Sequence, residues 1–510
     1  MRNITIGDSA PYRVSTERGK SRPYRNRAHR VYAAFAVGLL AFLWVQAPAN
    51  VSHIHKLIGL VVGCMTLAPW FWWLRSSRNN IPLLELISTH YFLIFCPPVF
   101  LGPVIFNAAK QPYQIQAYYL TKTLIILIIG FTCLLIGYYC IKFPKWRSLP
   151  RFFVDTKRLS SILLVYICLA ALSPIILPKL PHLAAKIGDL LIRVNGSVAT
   201  YALAVLLYSG KLSSQKRNAF FVTLVGFLLM SLSTGWLHLF IYPLIAFFIG
   251  EIQVKKRLPW KKIIAVCLAI VALQEVKPAF RQLYWGEKSI GGPPPANIGE
   301  SLTRAGHWIE MATGAVDSVE SGVKDTLLTR VDHLAFFGHV VGMTPEHIPY
   351  LRGYTYKVVP AMFVPRAIWP NKPSTMEMAN TLAVKYGWLP ESLVGRVAVS
   401  PGIMDEAYMN FGIVGVALVM LFFGCFLKWM TVNLGGAAKG FGWQLVLVGF
   451  VCGGGIMVTW TAQSYLGGLW QTLAVITVLY WPFRLKQIRR PAKNPFAQIP
   501  VRGAIDRFPR

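Results

Sequence analysis

Apolar runs of about twenty residues recur along this chain, and that recurrence decides what it can fold into. Roughly 20 apolar residues are needed to cross a ~30 Å hydrocarbon core as a helix, and lipid admits only elements that satisfy their own backbone groups. Twelve candidate spans follow, at 31–49, 57–75, 82–105, 119–141, 159–178, 196–210, 218–234, 236–251, 262–276, 408–429, 440–461 and 467–483. The seventh and eighth are short, and "STGW" between them reads as a tight hairpin. A length of 510 residues would suggest several soluble domains, but 55% hydrophobic and 14% charged residues overrule that. The first run, "VYAAFAVGLLAFLWV", leads to no small-residue cleavage site and reads as a retained helix. The expected fold is therefore an all-α polytopic membrane protein.

Charge orients the spans. Of 52 lysines and arginines, 34 lie in residues 1–30, 75–78, 142–158, 211–217, 255–262, 428–439 and 484–510. Short loops on the other side hold 6, and 12 lie in the segment 277–406. Because cytoplasmic loops carry the excess of Lys and Arg, the 34-charge side is expected to be cytoplasmic, with both termini there. The net charge of +32 is then a topology signal. Nucleic acid is excluded as a partner because the basic loops flank spans instead of forming one folded patch. Membrane lipids, anionic headgroups above all, are the expected partners of that charge.

The acidic residues concentrate elsewhere: 12 of 20 lie within 277–406, which is charge-balanced and rich in aromatics. The chain thus divides into a basic cytoplasmic N-terminus (1–30), nine spans (31–276), a large, partly helical loop on the extracytoplasmic side (277–407), three further spans (408–483) and a basic tail (484–510). A loop of that length is too long for an idle connector. All eight cysteines fall in or beside the expected spans, so no disulfide frames the loop. "LPHLAAKIGDLLIRVNG" (180–196) is amphipathic, with Leu183, Ile187, Leu190, Leu191 and Val194 on one side. It is expected to lie on the outer membrane surface, or alternatively to cover the path by which a lipid comes in.

Within the loop the residues suggest anion chemistry. Lys277 and Arg281 in "EVKPAFRQLYWGEK" share a face if a helix survives Pro278; they either anchor lipid headgroups, with Trp285, or contact a phosphate. Helices are expected over 301–318, carrying Arg304, His307 and Glu310, and over 322–342, where Arg330 and His333 share a face beside Asp332. No histidine pair has metal-ligand spacing, so no metal or other cofactor is expected. In residues 349–387, Arg352, Lys357, Arg366, Lys372 and Lys385 alternate with Tyr354, Tyr356, Trp369 and Tyr386. Guanidinium and ammonium groups bind phosphate through charge-assisted hydrogen bonds, while aromatic faces suit sugars. "FVPRAIWPNKP" (363–373) is stiffened by three prolines. Asp405, Glu406, Tyr408 and Asn410 stand where the chain re-enters the membrane, where a carboxylate is costly unless used or paired.

These residues carry a resemblance. Gly353–Tyr356, then Pro365–Pro373, Asn380, Tyr386–Gly387 and the run Pro401–Gly415 with Glu406, Tyr408, Asn410 and Gly412 resemble the Wzy-type O-antigen and oligosaccharide repeat-unit polymerases over roughly residues 350–415. The rest agrees in topology. One departure concerns the hairpin: many such proteins carry an arginine after Thr-Gly, whereas this chain has Trp236 and His238, so the resemblance does not extend to a phosphate contact from that turn.

The resemblance implies a GT-C-like architecture of about twelve helices in a bacterial inner membrane. It implies a metal-independent glycosyltransferase that joins oligosaccharide units carried on undecaprenyl pyrophosphate at the periplasmic face, making an O-antigen, capsule or exopolysaccharide. A lipid-linked oligosaccharide would be the substrate, and a chain-length regulator and a flippase would be partners. Such a reaction needs fixed cations on the leaving pyrophosphate and a base for the incoming hydroxyl. The expected pyrophosphate ligands are Arg281, Arg330, Arg366, Lys372 and Lys277. The candidate bases are Glu406, Asp332 and His333, and the sugar or lipid contacts are Trp369, Tyr354, Tyr408 and Asn410. The alternatives are a ligase that transfers finished glycan to lipid A, and a glycolipid transporter or flippase.

Overall fold

A computed structural model describes residues 22–76, 80–108, 117–142, 156–285, 292–314, 333–364, 369, 371–372, 375–394, 400–435, 442–480 and 482. The elements among them are helical, with no strand among the described residues. In chain order they are α1 (Arg22–Gln46), α2 (His53–Arg75), α3 (Leu83–Ala108), α4 (Ala117–Tyr139), α5 (Thr156–Ile176), α6 (His182–Tyr208), α7 (Ser214–Leu232), α8 (Leu237–Lys255) and α9 (Trp260–Trp285). They continue with α10 (Ile298–Thr313), α11 (His333–Met343), α12 (Thr375–Lys385), α13 (Ile403–Asn433), α14 (Gln444–Phe450), a π-helical turn (Val451–Gly455) and α15 (Ala462–Tyr480).

Nine of these helices among the described residues, α1–α6, α8, α9 and α13, are long and apolar enough to cross a membrane. Their outer surfaces say the same. On α13, Val414, Leu418 and Phe422 are 67%, 51% and 68% exposed at four-residue spacing, and α9 shows Ile264, Leu268 and Val271 in the same way. Apolar stripes of this length are costly in water and natural against lipid chains. Inside, small residues let backbones meet. A Cβ on Gly137 of α4 would lie 2.2 Å from Leu421 O, and one on Gly424 of α13 would lie 2.1 Å from Leu134 O. Close backbone approach is how helices associate where hydrophobicity gives no drive.

The ends of the bundle differ. At the basic end, Glu251 of α8 is 3% exposed and is held by Lys255 (2.8 Å), by Lys262 of α9 (3.0 Å) and by the hydroxyl of Tyr208 at the close of α6 (2.9 Å). At the opposite, loop end, α5, α6, the α7–α8 hairpin and the close of α9 come together with the linker 292–297 and α10. Helix α10 starts at Asn297, whose side chain accepts the Glu300 N–H (2.9 Å), and stops at Gly314. Its face Ser301, Arg304, Ala305 and Trp308 is buried at the i, i+3, i+4, i+7 positions of a helical stripe. Trp308 stacks on Phe280 (4.5 Å between ring centres) and donates to Leu273 O (2.9 Å), which fixes α10 along α9.

The structure corrects one expectation. Residues 180–196 are not a separate surface helix, because from His182 they are continuous with the sixth span as the 27-residue α6. Helix α9 runs through Pro278 unbroken, so Lys277 and Arg281 stand one turn apart.

Candidate functional site

The turn Ser233–Trp236 joins α7 to α8 at the loop end. The Thr234 hydroxyl donates to Ser231 O (2.7 Å) and accepts the Trp236 N–H (3.2 Å), a local bond pattern that favours turns over helix. Gly235 has φ +74°, and a Cβ there would lie 2.7 Å from Trp285 Nε1, so only glycine fits. Its carbonyl accepts from both Nε and Nη2 of Arg281 (3.2 Å each). The guanidinium also lies on two indoles, 3.9 Å from the ring centre of Trp285 and 4.8 Å from that of Trp236. Lys277, one turn earlier on α9, is 7% exposed. The hairpin lacks an arginine in sequence, yet a cation stands on it in space, supplied by α9.

The hairpin also borders a cavity of about 530 Å³, a size suited to a small-molecule ligand. Its walls include Pro174 of α5 and Leu177 just past its end, Ala185 and Asp189 from α6, Ser231 and Thr234, Trp236, Tyr242 and Pro293–Pro295. The linker is pinned over it: Arg304 donates Nη1 to Pro293 O (2.8 Å) while pairing with Glu300 through Nη2 (2.5 Å). The Ala296 N–H and then the Arg304 guanidinium hold the Glu300 carboxyl below the usual carboxylate range. Among the described lining residues Asp189 is the one charged side chain. It was not among the sequence candidates. The available signal was a carboxylate set among Ile187, Leu190 and Leu191, and reading the stretch as a surface helix hid it.

A second constellation gathers the residues of the resemblance. Helix α13 breaks at Gly412 (φ +65°, ψ −150°), where a Cβ would meet Tyr350 Oη at 2.8 Å. Two carbonyls just before the break, Met409 O and Asn410 O, accept the N–H groups of Leu351 (2.9 Å) and Arg352 (3.1 Å). The Asn410 amide completes the latch: its oxygen accepts from Gly353 N (2.9 Å), and its nitrogen donates to Thr355 Oγ1 (2.9 Å) and Glu406 O (2.7 Å). Glu406 accepts the N–H of Ala462, first residue of α15 (2.7 Å), and is contacted by Gln463 (3.4 Å). A carboxylate at a helix N-terminus is favoured by its free N–H groups and dipole. Asp405 accepts from Gly402 N (2.7 Å) and lies 2.5 Å from His333 Nε2 at the start of α11. Burial, and next the nearby Glu406, raise the Tyr356 hydroxyl well above the ordinary tyrosine range, so it stays protonated.

Glu406, Tyr408 and Asn410, expected to act on substrate, are thus fully buried and bonded within the protein; Tyr408 donates to Thr344 O (3.3 Å). Lys372 reaches back to Val364 O (2.8 Å) and holds the proline-rich arm to its own start. Trp369 and Tyr354 are exposed, at 44% and 55%. Arg330, Asp332 and Arg366 lie outside the described residues. Of the expected phosphate ligands, the structure brings Lys277 and Arg281 together beside the cavity hairpin, while His333 and Glu406 stand in the latch region with Asp405. Among the described residues no group of three His, Cys, Asp or Glu side chains is arranged to hold a metal ion.

Neither a curated protein nor a solved structure matches the chain. Residues 93–465, well over half of its length, match a family described as a domain of unknown function, DUF8712. The chain belongs to that family.

Proposed function

We propose that this protein is a glycosyltransferase that joins polyprenyl-pyrophosphate-linked oligosaccharide units at the extracytoplasmic face of a bacterial inner membrane. The observation that carries the reading is the loop end of α5–α9: a cation pair, Lys277 and Arg281, the latter fixed by two indoles and a carbonyl, beside a cavity walled by hydroxyls, an indole and prolines. Fixed cations suit a leaving pyrophosphate, since charge develops there as the sugar departs and preorganised donors need no rearrangement. Indole faces and hydroxyls suit a sugar. The resemblance of residues 350–415 to Wzy-type polymerases supports the same chemistry. In this reading α7, the segment Gln444–Gly455 and α15 join the nine apolar helices to make twelve spans. The basic end faces the cytoplasm with both termini, and the loop end faces outward.

The test is product length. Wild type and Arg281→Ala, at equal membrane levels in a host lacking its own polymerase, should differ on a gel of lipid-linked glycan. The proposal expects a ladder from the wild type and a collapse to one unit in the variant. A wild-type host that forms no ladder removes the polymerase reading.

One observation favours a second reading, transport of a glycolipid. Two helices are interrupted at glycines, α13 at Gly412 and the π-turn at Gly454 (φ +105°), and interrupted helices are a feature of transporters. Elongation by purified protein in detergent, where there are no compartments, excludes transport as its sole activity; movement of single units across a vesicle membrane without elongation favours it.

A further inference from the structure

We propose that the loop-end half of α13 is a binding site for one anionic phospholipid. Arg352 and Lys357 take its headgroup phosphate, and an acyl chain lies along Phe411, Val414, Leu418 and Phe422. The site goes beyond the glycosyltransferase reading and stands whether or not that reading holds.

The uneven exposure of α13 carries the apolar part. Phe411, Val414, Leu418 and Phe422 are all exposed, at three- and four-residue spacing. From Phe423 to Asn433, the rest of the helix, no residue is exposed. The stripe from Phe411 to Phe422 rises about 16 Å along the helix axis, roughly half of a ~30 Å hydrocarbon core. It is therefore as deep as one leaflet, the reach of one acyl chain, and it begins at the loop end.

The charged part stands at the top of that stripe. Tyr356 stacks on the Phe411 ring (6.2 Å between ring centres, 10° between planes), and a Cβ on Gly353 would lie 3.2 Å from the same ring. Arg352 precedes Gly353 and Lys357 follows Tyr356, so each cation is the chain neighbour of a residue on that ring. Both cations are exposed, and neither side chain makes a hydrogen bond, ion pair or ring contact among the described residues. The acids close by are otherwise engaged: Glu346 takes the Tyr119 hydroxyl (3.1 Å), and Glu406 takes the Ala462 N–H. Arg352 is fixed in left-handed backbone (φ +47°) with its N–H on Asn410 O, a costly conformation for a residue with a Cβ. The exposed Tyr354 adds an aromatic of the kind that gathers at membrane interfaces. Two unpaired cations above a leaflet-deep apolar stripe are complementary to a phosphate diester above an acyl chain. The site is an open edge with no walls to select a scarce lipid, so its occupant is an abundant one.

The experiment uses the full chain in vesicles of phosphatidylcholine containing a minor share of phosphatidylglycerol. A phosphatidylglycerol probe and a phosphatidylcholine probe, each with a photoreactive group in one acyl chain, are crosslinked in parallel, and the labelled peptides are located by mass spectrometry. At residues 411–422 the glycerol probe should label wild type about tenfold more than the choline probe, since one Lys or Arg at an anionic surface is worth about fivefold. In a double variant, Arg352→Gln with Lys357→Gln, the two probes should label this stretch alike, while labelling of the α9 stripe stays as in wild type. Added salt should narrow the gap between the probes on wild type, because exposed charges are screened; this arm holds even if the variant does not fold. Equal labelling of wild type by both probes, a preference that the variant keeps, or a gap that salt leaves unchanged overturns the site. Displacement of the glycerol probe by a small fraction of its amount of polyprenyl pyrophosphate overturns the occupant and gives the site to that carrier.

Discussion

The latch around Asn410 and the cavity around Asp189 are both polar regions in an apolar bundle, and they use their polarity in opposite ways. In the latch, donors and acceptors face one another: Asn410 bonds Gly353, Thr355 and the Glu406 carbonyl, and Glu406 meets the first N–H of α15. In the cavity wall, the Ser173 and Ser231 hydroxyls donate to carbonyls of their own helices, and among the described residues no such cross-chain set of bonds ties the wall together. Buried polar groups that satisfy each other specify one arrangement of the chain. A carboxylate's burial alone therefore does not mark it as chemical; what its oxygens face does.

Four substitutions can break or sharpen this contrast. The largest effect is expected from Asn410→Ala, which leaves the half-buried Gly353 N–H and the buried Thr355 hydroxyl each one partner short. A loss of about 3 kcal/mol of stability follows from unmade buried bonds, visible as a fall in melting temperature and in membrane yield, with product length per folded molecule unchanged. Next is Arg281→Lys, which keeps the charge but loses the planar fork and the stacking on two indoles. Elongation should fall about tenfold, equivalent to ~1.4 kcal/mol of barrier, with little change in melting; a large melting shift without a rate change would move Arg281 into the structural class. Glu406→Gln keeps an acceptor for Ala462 N and should cost about 1 kcal/mol, the scale of one altered buried hydrogen bond. If it instead abolished elongation in a folded chain, Glu406 would belong with the chemistry and the contrast would collapse. The smallest effect is expected at the exposed Glu300. Its folded carboxyl is held below the ordinary range, so its contribution is present above that range and is lost as pH falls through the depressed value. Glu300→Gln should therefore lower the melting temperature slightly at neutral pH, and the gap to wild type should close in acid.

Much of the scaffold was legible in the chain because length and hydropathy are additive along it. The break at Ser233–Trp236 and the helix of Arg304 and His307 appear where turn chemistry and periodicity put them. The latch was not legible, since the break at Gly412 lies inside an apolar run, "MNFGIVGVALVM", with no local sign that a distant Leu351–Arg352 will supply the missing donors. Asp189 escaped for a related reason. Amphipathicity is read from one helix alone, whereas this side chain's surroundings come from α5, α7, α8 and a linker a hundred residues further on. Of the residues of the resemblance, Gly353, Thr355, Glu406 and Asn410 bond one another, but grouping by motif does not tell whether a group holds the chain or meets a ligand.

Trp285 carries a last consequence. Its ring occupies the space of two absent side chains, since a Cβ on Gly235 would lie 2.7 Å from it and a Cβ on Gly292 would lie 2.4 Å away. Both glycines also have positive φ, +74° and +60°. The three positions form one unit of inheritance. Among related chains, a side chain at 235 or 292 should appear only where the indole at 285 has already been exchanged for something smaller, and a lineage that loses the tryptophan first becomes free to remodel both the hairpin and the linker over the cavity.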